Sequence, residues 1–273
     1  MKVFIKSRRK NYRNYYRNYR KNQGKSHRVF FAGVLAFALL YVVWEAAAGL
    51  MGASIILPGP GETFRETLRL ISGAGFWYSL GSTLLRGLAG FAVSFVLGLA
   101  AGFLAGKYPL FAGFIHPYMT IIRSTPLMAL ILIAIVWFPT EAVPVFAAVL
   151  MAFPVVCQNV ASGVRAVDPG LVEMARVYRA GKRRLFARLY FPSLAPFLAA
   201  GISSGLGLAW RVVVAAEVLS QPLWGIGTGM QEAKMRLETP RVFAWTAAAL
   251  LLSWLSDFGL SRFSSWKTDG RSL

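Results

Sequence analysis

The chain has 273 residues, of which 56% are hydrophobic and 15% are charged. Soluble globular domains are nearer to half apolar and one quarter charged. A soluble domain is therefore disfavoured, and a lipid bilayer is expected to surround the chain. The net charge of +19 could indicate nucleic-acid binding, but eleven of the 30 lysines and arginines lie in positions 1–28, and most of the others lie between apolar runs. Because that distribution is typical of membrane topology, nucleic acid is not expected as a partner.

Positions 1–28 form a basic, low-complexity segment rich in arginine, tyrosine and asparagine. It has almost no aliphatic residues that could form a core, so we expect a disordered cytoplasmic tail. Interleaved arginine and tyrosine could bind RNA or lie on anionic lipid headgroups. Since a membrane span follows directly, a topological or lipid-facing role is favoured over RNA binding.

The first predicted transmembrane helix covers residues 29–50. Ala46-Ala47-Ala48 resembles a signal-peptide cleavage site, but the apolar run exceeds the roughly 7–15 residues of a signal peptide, so a membrane span is favoured. Residues 51–83 are expected to be extracytoplasmic. Within them, Phe64, Leu68 and Ile71 recur at helical spacing and predict a short amphipathic helix over 62–72.

Five further apolar segments predict an all-α integral membrane protein with about six transmembrane helices. Each is close to the roughly 20 residues that cross a hydrocarbon core, and they cover 84–105, 119–138, 142–162, 194–218 and 242–260. The permease core is predicted to cover 84–262, and 263–273 is expected to be a cytoplasmic C-terminal tail.

Lysine and arginine counts predict the orientation. With the N-terminal tail inside, the inner segments hold 22 of these residues and the outer segments hold five. This bias predicts that both termini are cytoplasmic and that the number of spans is even. Glycines at four-residue spacing, Gly98, Gly102 and Gly106 in one span and Gly201 and Gly205 in another, are expected to allow close helix packing within the chain rather than to form a dimer seam.

The longest inner segment lies between the fourth and fifth spans and includes a predicted helix over 169–180. Asp168 followed by Pro169 is typical of a helix N-cap with proline at the first helical position, and Gly181 is expected to end the helix. A free helix of about twelve residues is marginal in water, so this helix should dock on another surface.

One face of this helix is apolar, because Leu171, Met174, Ala175 and Tyr178 lie at i, i+3, i+4 and i+7. Either the membrane surface or a soluble partner protein could cover that face. A helix placed between two spans acts as a lever, since whatever moves it also moves both spans.

This loop, residues 163–192, resembles the EAA loop of permease subunits of binding-protein-dependent ABC importers. Glu173-Met174-Ala175 is followed nineteen residues after Glu173 by Pro192, as in that motif. Met174 replaces its first alanine, and Arg179 occupies the position of its glycine. The resemblance implies that the loop holds a coupling helix that seats in a groove of the ATPase subunit.

Two other segments resemble the nitrate, sulfonate and taurine branch of this family. One runs from Arg123-Ser124-Thr125-Pro126 to Val136-Trp137-Phe138; the other comprises Ala216-Glu217-Val218 and Gly225-Ile226-Gly227. The usual Gly-Ile-Gly after the third span is replaced by Pro139-Thr140-Glu141.

The resemblance implies a type I ABC importer permease in the bacterial inner membrane. Its implied partners are two ATP-binding subunits that carry ATP-Mg, an extracytoplasmic solute-binding protein and a second permease copy in a homodimer. The chain itself is expected to bind no cofactor. The implied substrate is a sulfonate, nitrate, taurine-like or similar small organic anion; a thiamine precursor, riboflavin or an aromatic carboxylate is the alternative.

No catalytic site is expected in the chain. It lacks a GxxxxGK[ST] phosphate-binding loop, a Ser/His/Asp arrangement and a cluster of metal ligands, and its one cysteine, Cys157, lies in an apolar run. An ATP-independent secondary transporter or channel is the alternative of another class. Such a protein would not need the cytoplasmic lever, and it would usually show inverted repeats, which we do not find clearly.

Charged residues within spans are candidates for the translocation path. Arg211 lies well inside the fifth span and Glu217 near its outer end. Arg211 could attract an anionic substrate, pair with a carboxylate on another span or extend to the interface. Arg86 and Arg123, near span ends, are expected to be interfacial anchors.

Overall fold

The computed structural model describes residues 31–268, except for the side chains at positions 176, 182, 257 and 260–268. The described chain is helical and contains no strand. Its helices are α1 (Phe31–Met51), α2 (Pro60–Ser72), α3 (Ala74–Lys107), α4 (Pro109–Ser124), α5 (Leu127–Trp137), α6 (Val143–Arg165), α7 (Pro169–Val177), α8 (Lys182–Leu185), α9 (Phe191–Ser220), α10 (Ile226–Met235) and α11 (Thr239–Thr268), with a π-helical turn over Phe186–Tyr190. The predicted tail at 1–28 lies outside the described residues.

Four helical segments in the described chain are long and apolar enough to cross a membrane: Phe31–Met51, Ala74–Lys107, Val143–Arg165 and Arg183–Ser220. The pair α4 and α5 passes the same test together and would make a fifth span. The sixth predicted span, 242–260, falls within α11. The all-α membrane fold is therefore confirmed, although α11 continues to Thr268, into the region predicted as a C-terminal tail.

The third predicted span, 119–138, is not the continuous helix that the sequence suggested. Helices α4 and α5 meet at an angle of 98°. Thr125 between them is extended, with ψ of 127°, because a residue before proline is disfavoured in the α region. Pro126 also lacks the N–H that a continuing helix would use.

Helices α3 and α6 pack closely along the predicted glycine positions. A Cβ at Gly102 would lie 2.5 Å from the carbonyl oxygen of Cys157, and one at Gly98 would lie 2.8 Å from Val156. Only glycine permits this approach. The expectation of packing within the chain is confirmed, and Cys157 is buried as a free thiol in that contact.

Helix α9 is the third member of the core. Leu194 near its start is buried with Val160 of α6, and Trp210 further along packs with Trp245 of α11. The Trp210 indole also donates a hydrogen bond of 2.8 Å to the Ser256 hydroxyl. Large apolar side chains remain on the surface of the described chain, as expected where lipid is the solvent.

The described residues divide into two compact units, one up to Glu62 and the other from Thr63 onward. Within that first unit, the side chains of α1 are largely exposed, and the Trp44 indole donates a hydrogen bond of 2.9 Å to the Pro58 carbonyl. The second unit contains the core and both sites described below.

Candidate functional site

The coupling segment, which we define as residues 168–192 of the predicted coupling loop 163–192, begins at the N-cap that the sequence suggested. The Asp168 carboxylate accepts a hydrogen bond of 2.8 Å from the backbone N–H of Gly170, and the Asp168 carbonyl accepts one of 3.3 Å from Val172. The first bond satisfies an N–H that the first turn of a helix leaves free, and the second is the first regular bond of the helix. Pro169 follows as the first residue of α7.

Helix α7 ends earlier than predicted, at Val177 instead of before Gly181. The backbone N–H of Ala180 bonds to the Ala175 carbonyl at 2.8 Å, and Arg179 adopts a left-handed conformation with φ of 50°. This combination is a Schellman-type ending, in which the left-handed position is normally glycine. Arg179 therefore occupies, in the required conformation, the position at which the EAA motif has glycine.

The apolar face of α7 is exposed in the chain. Met174 is 54% exposed and Tyr178 is 79% exposed, and Leu171 is exposed with them, while Ala175 is half-buried. Val177 also belongs to this surface, and the helical spacing from Met174 could have identified it in the sequence. Glu173 is exposed on the same helix. The helix thus carries an apolar surface that nothing in the described chain covers.

The coupling segment joins the core through a π-helical turn. The backbone N–H of Phe191 donates a hydrogen bond to the carbonyl of Phe186, five residues earlier. The next residue, Pro192, has no N–H to donate. The rings of Phe186 and Tyr190 each lie 6.1 Å from that of Phe103 on α3. The segment is therefore packed against the core at this end, although α7 is exposed.

A second site, which is polar, lies near the C-terminal end of α9 and centres on Glu217. The Glu217 carboxylate is fully buried. It accepts hydrogen bonds from the Thr83 hydroxyl (2.9 and 3.0 Å), from Arg86 (2.8 Å) and from the backbone N–H of Gly227 (3.1 Å). Thr83 in turn accepts one of 2.9 Å from the N–H of Ile226. A buried carboxylate requires such partners, because an unpaired buried charge is very costly.

Arg86 extends this site to the turn between α5 and α6. Its guanidinium donates a hydrogen bond of 2.6 Å to the Trp224 carbonyl and forms an ion pair with Glu141. Glu141 also accepts a bond of 2.8 Å from the N–H of Leu223. We call Thr83, Arg86, Glu141, Glu217 and Gly227 the Arg86–Glu217 network; it ties α3, α9, α10 and the α5–α6 turn together.

Comparison with known proteins gives the family. The profile described as "Binding-protein-dependent transport system inner membrane component" matches residues 94–266. A probable ABC transporter permease protein of Brucella melitensis biotype 1 is 32% identical over 191 residues, which cover 70% of this chain and 77% of that protein. The chain belongs to this family.

Other relatives confirm the predicted branch. A putative aliphatic sulfonates transport permease of Bacillus subtilis is 29% identical and covers 86% of this chain and 85% of its own length. A taurine permease of Escherichia coli (26% identical, 84% of each chain) and a nitrate import permease of Synechocystis (28% identical, 71% of this chain and 73% of its own) are also similar. In fold, the chain resembles the MetNI methionine ABC transporter in an inward-facing form, with a TM-score of 0.54, 18% identity, and coverage of 69% of this chain and 92% of that one.

As a member of this family, the chain is a multi-pass permease subunit of an ABC importer and is non-catalytic, since ATP hydrolysis belongs to a separate chain. Its family works with an ATPase and a binding protein. The alternative of an ATP-independent transporter or channel is not favoured.

The permease core places the candidate path residues apart. Glu217 is fully buried in the network, whereas Arg211 is exposed on α9, and no carboxylate of the described residues forms a salt bridge with it. The expectation that Arg86 is an interfacial anchor is wrong, because it is the central donor of the network. Arg123 is exposed in the last turn of α4 and donates a hydrogen bond of 2.9 Å to the Pro154 carbonyl of α6, so its role as an interfacial anchor stays a prediction.

Proposed function

We propose that this permease forms the translocation path for a small organic anion of the sulfonate or taurine type, or for nitrate, delivered by an extracytoplasmic binding protein. Similar permeases are named for aliphatic sulfonates, taurine and nitrate, which supports this substrate class. Arg211, an exposed cation within α9, supports an anionic substrate, because a charge inside a span is costly unless it has a function or a partner.

The apolar face of α7 is the observation that carries the mechanism. The helix and the residue after it expose Met174 and Tyr178 beside the acidic Glu173, and Pro192 follows in the EAA register. A short helix with such an apolar face suits the groove of an ATPase subunit. In this proposal, Asp168 and Arg179 fix the two ends of the helix. Gly181 lies directly before α8.

The working assembly would contain two copies of the permease and two ATPase subunits, which hold ATP-Mg at their own sites. Both termini would lie in the cytoplasm, with 1–28 as a tail, the permease core over 84–262 and the protein in the bacterial inner membrane. The excess of lysine and arginine in the inner segments supports this orientation.

Transport then follows from moving α7. Closure of the ATPase subunits on ATP would displace the helix, and the packed π-helical turn would pass this displacement to α9 through Phe186 and Tyr190. The two permease copies would open outward to receive substrate. Release of ADP would reverse the movement, and the path would open to the cytoplasm.

Coupling is tested with Glu173→Lys in proteoliposomes that contain the permease, its ATPase and its binding protein. We expect uptake to be lost while the permease remains in the membrane, because the reversed charge opposes docking. Glu232→Lys makes the same change at an exposed site on α10 and serves as the control. Unchanged uptake with Glu173→Lys would refute the coupling assignment.

The substrate class is tested in the same proteoliposomes with taurine, an alkanesulfonate, nitrate and a pyrimidine thiamine precursor. We expect uptake of at least one of the three anionic or sulfonate solutes and none of the precursor. Uptake of the precursor alone would refute the proposed class without affecting the coupling assignment.

A further inference from the structure

Helix α2 turns only part of its apolar surface toward the protein. Leu70 is buried in a core cluster with Phe76 and Trp245, and Thr63 is buried on the same side. In contrast, Phe64 is 65% exposed and Leu68 is 54% exposed. The apolar surface of α2 is thus wider than the strip that the core covers.

The helix has three sides of different chemistry. At about 100° per residue, Phe64, Leu68 and Ile71 lie beside the buried strip, whereas Arg65 and Arg69 lie away from both. We call Phe64, Leu68 and Ile71 the α2 apolar face. A helix with a protein-facing, an apolar and a charged side matches the pattern of one that lies in the plane of a membrane interface.

The α2 apolar face continues into an exposed apolar surface of α3. One residue, Gly73, separates the two helices, and the Trp77 indole of α3 donates a hydrogen bond of 3.0 Å to the Ile71 carbonyl. Trp77 itself is exposed. Further along α3, on the same side of the helix, large apolar side chains are also exposed at helical spacing: Leu85, Leu88, Val96 and Leu99. Tryptophan concentrates at the headgroup level of membranes, so Trp77 marks the level at which α2 lies.

From these observations we infer that α2 is an interfacial membrane anchor and that lipid covers the α2 apolar face. Phe64, Leu68 and Ile71 enter the boundary between headgroups and acyl chains, and Arg65 and Arg69 face water and headgroup phosphates. The anchor fixes the end of α3 at the membrane surface, and α3 carries Thr83 and Arg86 of the Arg86–Glu217 network. This inference requires only that the chain spans a membrane and is independent of the transported substrate.

The test uses spin labels on the full permease, assembled with its ATPase in vesicles of phosphatidylethanolamine and phosphatidylglycerol. Cys157→Ala removes the native thiol, and single cysteines are then introduced by Phe64→Cys, Leu68→Cys and Ile71→Cys. Arg65→Cys is the matched control, since it lies on the same helix but on the charged side. Relaxation by oxygen, which concentrates in hydrocarbon, is compared with relaxation by a water-soluble nickel chelate.

We expect the labels at 64, 68 and 71 to be relaxed several-fold more by oxygen than by the nickel chelate, and the label at 65 to show the reverse. Equal access of nickel to both sides would overturn the inference, because the face would then be in water. Exclusion of both reagents would also overturn it, because α1, a second copy or another protein would then cover the face. If Phe64→Cys fails to assemble, the labels at 68 and 71 decide the question.

Discussion

The coupling segment and the Arg86–Glu217 network reverse the usual rule of protein surfaces. Before the start of α9, apolar side chains such as Met174 and Tyr178 are exposed; toward its other end, Glu217 is fully buried and the Arg86 side chain paired with it is only 10% exposed. About 39 Å of helix separates Phe191 from Glu217, at 1.5 Å per residue. In the proposed assembly the ATPase completes the exposed apolar site, whereas the buried charged site has its partners within the chain.

From this difference we expect the two regions to have different mechanical roles. The network joins α3, α9 and α10 through hydrogen bonds that are shielded from water, so these helices should move as one body. The coupling segment contacts that body mainly through its π-helical turn. A displacement of α7 is therefore expected to turn the whole block and not to bend it. The following substitutions test this contrast through their effects on stability, from the largest to the smallest.

Arg86→Gln should have the largest effect. It leaves the buried Glu217 carboxylate without its charged partner, which typically costs about 3–5 kcal/mol. We expect a marked fall in the melting temperature of the detergent-purified permease, measured by fluorescence-detected size exclusion after heating.

Two further variants control this prediction. Arg86→Gln combined with Glu217→Gln removes both charges and should recover part of the stability, because no buried charge is then unpaired. Arg211→Gln removes an exposed arginine from α9, on the same helix as Glu217, and should change the melting temperature little. A single Arg86→Gln variant as stable as the parent would mean that the block is not held by this pair.

Gly227→Ala should have the next largest effect. An added Cβ would lie 2.3 Å from the Val214 carbonyl oxygen and 2.7 Å from the Cβ of Glu217, so the network must shift. Such overpacking typically costs about 1–3 kcal/mol. The matched control is Gly113→Ala on α4, where nothing lies within 4 Å, and there a neutral or slightly stabilising result is expected. Equal melting temperatures for the two variants would contradict the close approach.

Arg179→Gly should have a small effect of opposite sign. The left-handed conformation at φ of 50° costs about 1–2 kcal/mol for arginine, and the added freedom of glycine in the unfolded chain offsets about 0.4–1 kcal/mol of that gain. A net gain of roughly 0.5–1 kcal/mol should slow hydrogen exchange at the end of α7 by about two- to fivefold.

Gly181→Ala is the control for Arg179→Gly. Gly181 does not have a positive φ and nothing lies within 4 Å of an added Cβ, so no comparable strain is present. Faster exchange at residues 178–180 in Arg179→Gly would show that the arginine stabilises the turn in another way.

Structural features that depend on residues close together in the chain could be predicted from the sequence. Asp168 next to Pro169 predicted the start of α7, because a cap and its helix are neighbours in the chain. Hydropathy predicts a single span over 119–138, whereas the break at Pro126 follows from the exclusion of a residue before proline from the α region. The pairing of Arg86 with Glu217 could not be predicted, since the two residues are 131 positions apart and only tertiary packing brings them together.

Met174→Asp should affect stability least and assembly most, and so it separates the two regions most sharply. The side chain is 54% exposed, so the melting temperature should change by no more than the equivalent of about 0.5 kcal/mol. At the centre of an apolar docking surface, however, the buried charge should weaken association with the ATPase by at least about tenfold, or about 1.4 kcal/mol. Copurification and light-scattering measurements of the complex would detect this loss.

Met235→Asp makes the same chemical change at another exposed methionine, on α10, and should leave the complex intact. If both variants lost the ATPase equally, the loss would reflect a general effect of the added charge. If Met174→Asp instead lowered the melting temperature as much as Arg86→Gln does, the face of α7 would be part of the permease's own core. Only a loss of the ATPase from an otherwise stable permease fits a helix whose apolar face is completed by another chain.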